Sequence, residues 1–297
     1  MAASLPFDQR DGDIWLNGEF VPWSSAQLHV LSHALHYASS VFEGERAYGG
    51  EIFKLTEHTE RLFRSAEFLD MEIPYTVAEI DNACKALLAR QGLQDAYVRP
   101  VAWRGSEMMG VSAQTTKINV AIAIWEWPSY FDAEQRLKGI RLDIAKWRRP
   151  DPATIPCEAK AAGLYMICTL SKHAAEQKGY ADALMLDYRG RIAEATGANV
   201  FFVKDGELHT PTPDCFLNGI TRQTVMELAR TRQIKINERV IMPEEMATFE
   251  ECFIVGTAAE VTPVSEIGPY SFTVGDITTK LMNDYTNAVQ PKVAAAE

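Results

Sequence analysis

Cysteine is scarce and shows no pairing pattern. The 297-residue chain has five (Cys84, Cys157, Cys168, Cys215, Cys252), an odd number, widely spread and without a C-x-x-C pair. That argues against a disulfide framework and a thiolate zinc site. Cys157 stands three residues before Lys160, and ordinary packing is the expectation for its thiol. Basic residues fall short of acidic ones, Lys+Arg 29 against Asp+Glu 40, for a formal charge of −11. Such a surface repels phosphate backbones and anionic lipid, so no nucleic-acid or membrane partner is expected. No window approaches the roughly 18–20 uninterrupted apolar residues of a spanning helix, which predicts a soluble chain. The opening MAASLPFDQRDGDIW lacks a basic stretch followed by an apolar one, and Asp8, Asp11 and Asp13 argue against a transit peptide, so the cytoplasm is the expected location. Repeats and low-complexity tracts are also missing, so any linker must be short.

What is present fills about two domains at roughly 100–200 residues each. The boundary is expected in WEWPSYFDAE (125–134), where a strand-like run over 118–125 meets Pro128 and the next such run begins only at Ile140. This divides the chain into a smaller N-terminal α+β domain (1–127), an interdomain loop (128–135) and a larger C-terminal domain (136–297) that carries Lys160. Upstream, strands are expected over 14–16, 19–21 and 52–55. Thr76 to Glu79 reads as a capping box ahead of Ile80, Ala83, Cys84, Leu87 and Leu88 at helical spacing, with Gly92 as the stop. Downstream, helices over 164–177 and 221–230 alternate with extended segments over 183–187 and 199–203 and a KDGE turn at 204–207. The pattern predicts a mixed α/β and α+β architecture in two lobes.

Four segments carry chemistry. In IPCEAKAAGLY (155–165), Lys160 is flanked by Ala159, Ala161, Ala162 and Gly163, so a flat cofactor could approach its amine, and a desolvated amine suits Schiff-base formation. A surface lysine on a helix start fits the same residues. In RIAEATGANVFFV (191–203), Glu194 sits among small residues before an apolar strand, where a carboxylate needs a partner: a protonated ring nitrogen or an ordinary salt bridge. In FLNGITRQTVMELAR (216–230), Gly219 precedes a helix whose N–H groups, with the Thr221 hydroxyl, would suit a phosphate. In IVGTAAEVTP (254–263), a small-residue turn after an apolar strand could hold another anion, or be a plain turn.

The spacing of these segments is more specific than any one of them. Glu194-x-Thr196-x-x-Asn199-Val200-Phe201, six residues, Leu208-x-Thr210, six residues, Leu217-x-Gly219-Ile220-x-Arg222 resembles the class IV pyridoxal-phosphate aminotransferase signature. Within that class, HVLSHALHYASSVFEGERAY (29–48), EHTERL (57–62), AYVRP (96–100) and MGV (109–111) resemble the branched-chain amino acid aminotransferases, from about Trp15 to about Tyr285. The spacing of His29 and His33 alone allows a metal pair, but no H-E-x-x-H carboxylate accompanies them and the family carries this stretch without metal, so both are expected to be structural.

The resemblance implies a two-domain fold type IV enzyme, at least a homodimer, with pyridoxal 5'-phosphate in the cleft between the domains. It implies that Lys160 forms the Schiff base and shuttles the proton, and that Glu194 keeps the pyridine nitrogen protonated. Tyr165 would bond the phenolic oxygen, Leu217 would pack on the ring, and Arg61, Ile220, Thr221 and Thr257 would bind the phosphate. The α-carboxylate would meet the backbone of Thr257 and Ala258 and the Tyr97 hydroxyl, and Arg99 the distal carboxylate of glutamate. Phe42, Tyr37, Tyr130, Tyr165 and Ala259 would line the side-chain pocket, with Tyr37 and Val111 supplied by the partner subunit. Two departures lie beside cofactor contacts: Asn218 replaces a common proline, and Ala198 stands where a polar residue is frequent.

The implied activity is reversible amino transfer between L-leucine, L-isoleucine or L-valine and 2-oxoglutarate. D-amino-acid and (R)-amine transaminases and aminodeoxychorismate lyases share the lysine and glutamate. Tyr97-x-Arg99 with Met109-Gly110-Val111 and Gly256-Thr257-Ala258 favours the branched-chain enzyme. A protein that binds the cofactor without turnover, or an unrelated binding protein, is the alternative of another class.

Overall fold

The computed structural model describes residues 5–127 and 138–291. They form two compact units: 5–127 with Ala159–Gly163 and Pro291, and 138–158 with Leu164–Gln290. Among the described residues, no helix is long and apolar enough to cross a membrane.

The first unit is an antiparallel sheet under helices. Its elements are β1 (Asp13–Leu16), β2 (Glu19–Pro22), α1 (His33–Tyr37), β3 (Ser40–Phe42), β4 (Glu45–Tyr48), β5 (Glu51–Ile52), α2 (Leu55–Phe68), α3 (Val77–Gln91), β6 (Ala96–Arg104) and β7 (Ile118–Glu126). The strand order is β2-β1-β7-β6-β4-β5, with β3 beside β6. The capping box of α3 forms as expected: the Thr76 hydroxyl accepts from the Glu79 N–H, the Glu79 carboxylate accepts from the Thr76 N–H, and Gly92 ends the helix at φ 67°. The strand expected over 52–55 is shorter. Only Glu51–Ile52 pairs with β4, then Lys54 turns left-handed (φ 50°) and Leu55 already begins α2.

The second unit has β8 (Ile140–Ile144), α4 (Met166–Gln177), β9 (Asp182–Leu186), β10 (Ile192–Ala195), β11 (Asn199–Lys204), β12 (Glu207–Pro211), α5 (Ile220–Thr231), β13 (Ile236–Arg239), β14 (Glu251–Gly256), β15 (Glu260–Ile267), β16 (Tyr270–Ser271) and α6 (Asp276–Ala288). The order is β10-β9-β8-β15-β14-β11-β12-β13, with β16 on β15. Glu194 of β10 also pairs with Asn199 of β11, which closes six strands into a ring. Leu142, Leu184, Val200, Phe202, Ile254 and Val264 are among the residues of its core, which the β-branched and aromatic run of β11 supplies in part. The KDGE turn joins β11 to β12 with Asp205 at φ 52° and Gly206 at φ 77°, the two successive positive values that a tight two-residue hairpin requires. The expected helix at 164 starts as a 3-10 turn, Ala162–Leu164, before α4.

Lys160 was expected with the C-terminal domain, but its segment belongs to the first unit. Ala161 bridges Val41, the Phe42 N–H donates to the Lys160 carbonyl at 3.1 Å, and the Lys160 N–H donates to Ser65 Oγ at 2.9 Å. These bonds tie the segment to β3 and α2 although it lies in the C-terminal half of the sequence. The expected loop over 128–135 lies outside the described residues.

Candidate active site

Strand alternation sorts the first sheet into two faces. Phe42 stands opposite Val101, Glu45 opposite Val98, Arg46 opposite Tyr97, and Tyr97 opposite Trp125. Phe42, Gly44, Arg46, Tyr97, Arg99 and Trp125 therefore share one face. Val41, Glu43, Glu45, Ala47, Val98 and Ile124 share the other, which is buried under α2 and α3. On the first face the Arg99 guanidinium lies 4.8 Å from the Phe42 ring centre and its Nη2 donates to the Tyr97 hydroxyl at 3.2 Å. Lys160 Nζ lies 5.1 Å from the centre of the same Phe42 ring. The structure thus brings together Lys160, Phe42, Tyr97 and Arg99 of the residues singled out from sequence. Two cations beside one aromatic ring make a wall that is apolar in body and positive at two points.

Arg61 meets Glu43 on the buried side of the sheet. From α2 its Nε and Nη2 donate to the two oxygens of Glu43 at 2.7 and 2.8 Å, and His58 Nδ1 meets the same carboxylate at 2.7 Å. Burial would push the Glu43 carboxyl up, but Arg61 and His58 outweigh it and hold it far below the usual carboxylate range. Burial also pushes His58 down against the pull of Glu43, which favours a neutral imidazole donating from Nδ1. Two residues on, Glu45 is fully buried, and neither carboxyl oxygen has a hydrogen-bond partner among the described residues. Burial, then the charges of Glu43 and Asp81, push its pKa well above the ordinary value.

Tyr37 ends α1 with its hydroxyl donating to the Met109 carbonyl at 3.3 Å, and Val111 is 84% exposed in the same loop. His33 uses both ring nitrogens on the chain, Nδ1 on Ser39 Oγ at 2.5 Å and Nε2 on the Gly110 carbonyl at 3.0 Å, while His29 Nδ1 accepts from the Leu31 N–H. Tyr130 lies outside the described residues.

In the second unit Glu194 is buried on β10, accepts from Asn199 Nδ2 at 3.1 Å and faces Arg149 Nε at 3.5 Å. Arg149 in turn reaches the Leu164 carbonyl and feels the charge of Tyr165, so one guanidinium ties Glu194 to the start of α4. Asn199 also donates to the Leu217 carbonyl at 3.0 Å and accepts from the Gly219 N–H at 3.1 Å. Gly219 precedes α5, whose first residues are the buried Ile220 and Thr221, and among the described residues Gly219 brings no side-chain cap to this helix start. Arg222, 1% exposed, clamps the loop below: Nη1 to Asn218 Oδ1 at 2.9 Å and Nη2 to Glu238 at 2.7 Å. Thr257, Ala258 and Ala259 form the half-buried turn from β14 to β15, and Gly256 just before it lies beside Gly197 and Ala198. Cys157 packs with Ala193, Cys215 and Phe216, and burial pushes its thiol up, so it is a core side chain.

Sequence reasoning missed Glu43, His58, Arg149, Trp125 and Trp127. Tyr97 stacks on Trp125 at 5.1 Å and meets Trp127 at 5.0 Å. The alternation Trp125-Glu126-Trp127, and His58 and Arg61 one helical turn apart, were the available signals.

The family model described as amino-transferase class IV matches residues 40–267. A probable branched-chain-amino-acid aminotransferase of Rickettsia felis is 43% identical over 96% of this chain and 99% of its own length. The branched-chain-amino-acid aminotransferase of Pseudomonas aeruginosa is 41% identical over 96% and 95%. Among solved structures, the T.th. branched-chain amino acid aminotransferase with pyridoxamine 5'-phosphate superposes with a TM-score of 0.92 at 39% identity, covering 95% of each chain.

Proposed function

The chain belongs to the class IV aminotransferase family, and on that premise we propose that it transfers the amino group reversibly between L-leucine, L-isoleucine or L-valine and 2-oxoglutarate, with pyridoxal 5'-phosphate as cofactor. The observation that carries this reading is the Phe42 ring, which the Lys160 amine and the Arg99 guanidinium both overlie. A pocket for this exchange must take an aliphatic chain in one half-reaction and a second carboxylate in the other. An aromatic wall with one embedded guanidinium meets both demands, because the guanidinium offers a carboxylate two parallel donors while the rest stays apolar.

The residues present fit the cofactor. The uncapped start of α5 leaves N–H donors for a phosphate beside the buried Thr221 hydroxyl, and Glu194 offers a buried carboxylate to a ring nitrogen. Pyridoxal 5'-phosphate supplies an electron sink that acidifies the Cα–H of an amino acid. Lys160 would hold the cofactor through Nζ and move the proton at the substrate's Cα. Glu194, with Arg149 as counter-charge, would hold the proton on the ring nitrogen, and Tyr165 would donate to the phenolic oxygen. Leu217 would pack on the ring, and Ile220, Thr221 and Thr257 would hold the phosphate together with Arg61, whose Nε and Nη2 are braced by Glu43. Tyr97 and the backbone of Thr257 and Ala258 orient the α-carboxylate, and Phe42, Tyr37, Tyr130 and Ala259 exclude water from the aliphatic chain.

The working form is a homodimer or larger, with Tyr37 and Val111 reaching the partner's site. Leu31, Leu35, Met109 and Val111 stand exposed on the segments that hold Tyr37 and its partner Met109, apolar surface that a second copy would cover. Its place is the cytoplasm. The test is the absorbance of the purified holoenzyme. L-Leucine should convert the cofactor band to its amine form and 2-oxoglutarate should restore it; conversion by D-alanine or an (R)-amine instead of L-leucine would assign the chain to another activity of the class.

A further inference from the structure

Gly44 lies between Phe42, which faces Val101, and Arg46, which faces Tyr97. Its backbone is not left-handed, so conformation does not require glycine there. Space does. A Cβ at this position would sit 2.0 Å from the Tyr97 hydroxyl oxygen and 3.0 Å from the ring carbon that bears it. Such a contact is relieved cheaply when the neighbour is the end of a mobile side chain, but the Tyr97 ring is held on several sides. It is 8% exposed, stacks on Trp125 with the planes 27° apart, meets Trp127, and its hydroxyl accepts from Arg99. Trp125 is itself backed edge-on by Phe7 at 5.2 Å. The aromatic stack leaves the phenol one resting place, and that place is the volume of the missing methyl group.

We propose that Gly44 is a positioning residue for substrate recognition: the absent side chain forms a slot that fixes the Tyr97 hydroxyl where Arg99 reaches it. The slot sets the spacing between the phenol and the guanidinium, and through it the fit of a dicarboxylate or a leucine-like acid. This rests on the reading that Tyr97 and Arg99 meet substrate carboxylates.

The test is a double-mutant cycle on the holoenzyme with Gly44→Ala, Tyr97→Phe and the pair together. The readouts are the Kd of 4-methylvalerate, leucine's carbon chain without its amine, and KM and kcat for L-leucine. Gly44→Ala should raise Kd and KM about tenfold, the worth of one displaced hydrogen bond, and Tyr97→Phe by a similar factor. The double variant lacks the clashing hydroxyl and should stay within about threefold of Tyr97→Phe alone, because the two losses are one loss. Multiplication to about a hundredfold, or a Gly44→Ala enzyme like the wild type, would overturn the slot. An unchanged Kd and KM in Tyr97→Phe would instead overturn the recognition reading beneath it. Should Gly44→Ala fail to accumulate folded, recovery of folded protein in the double variant supports the slot, and failure of both overturns it.

Discussion

Replacing Glu45 by glutamine should remove a fall in stability with rising pH. Glu45 is fully buried at the start of β4, between Glu43 two residues before it and Asp81 and Cys84 of α3, with Arg61 and His58 reaching in from α2. Arg61 donates to Glu43 through Nε and Nη2, and the Asp81 carboxyl accepts from the Thr56 and Thr59 hydroxyls at 2.6 Å each. A second uncompensated anion is costly there, so the folded pKa of Glu45 is raised well above its unfolded value. Between the two values the native state binds one more proton than the unfolded chain. Stability then falls by about 1.4 kcal/mol per unit of pH; the contribution is full below the unfolded pKa and is lost as pH climbs to the folded one. His58, lowered by burial, works with the opposite sign below about pH 6.5, and Glu43, also lowered, adds stability above its unfolded pKa; both are common to the two proteins and cancel. Urea unfolding of the holoenzyme at pH 6 and pH 7, followed by tryptophan fluorescence, should show the wild type losing more stability than Glu45→Gln, by up to about 1.4 kcal/mol. Equal changes in both proteins would refute the reasoning. Glu45→Leu, which also removes two unpaired oxygens, should exceed the wild type at pH 7 by about 1–3 kcal/mol.

Three further substitutions test the cofactor residues. Lys160→Ala should abolish steady-state transamination with the fold retained, and borohydride should attach cofactor mass to the wild-type peptide holding Lys160; label on another lysine would contradict the assignment. Glu194→Gln should lower turnover far more than cofactor content, since Asn199 and the neighbouring strands still hold the loop; near wild-type turnover with leucine would exclude the role. Arg61→Ala should weaken cofactor binding roughly ten- to a hundredfold, with activity largely restored by excess pyridoxal 5'-phosphate, and an unchanged dissociation constant would remove Arg61 from the site.

Local signals and fixed spacings were legible in the sequence. The Thr76 capping box, the KDGE hairpin and the β7 run follow from side-chain chemistry close along the chain. The 194–222 spacing encodes one connected device: Asn199 joins Glu194, Leu217 and Gly219, and Arg222 braces Asn218. What depends on distant pairing was not legible. Leu55 starts a helix rather than ending a strand because β5 has only two residues to pair before Lys54 turns. Lys160 joins the first unit through bonds to Phe42 and Ser65, each about a hundred residues away in sequence. Glu43 and Glu45 look like surface acids in FEGERAY until the register turns them under α2 and α3.

The central claim is that one pocket reads both an isobutyl group and a distal carboxylate, with Arg99 set in an aromatic wall for the second. Single-turnover conversion of the cofactor band in Arg99→Ala, with L-glutamate and with L-leucine, tests it directly. The barrier for glutamate should rise by roughly 2–5 kcal/mol, the scale for truncating one partner of a buried charge pair, and the barrier for leucine by clearly less. Equal losses with both amino acids would mean that Arg99 serves the shared α-carboxylate or the fold, and would contradict the claim.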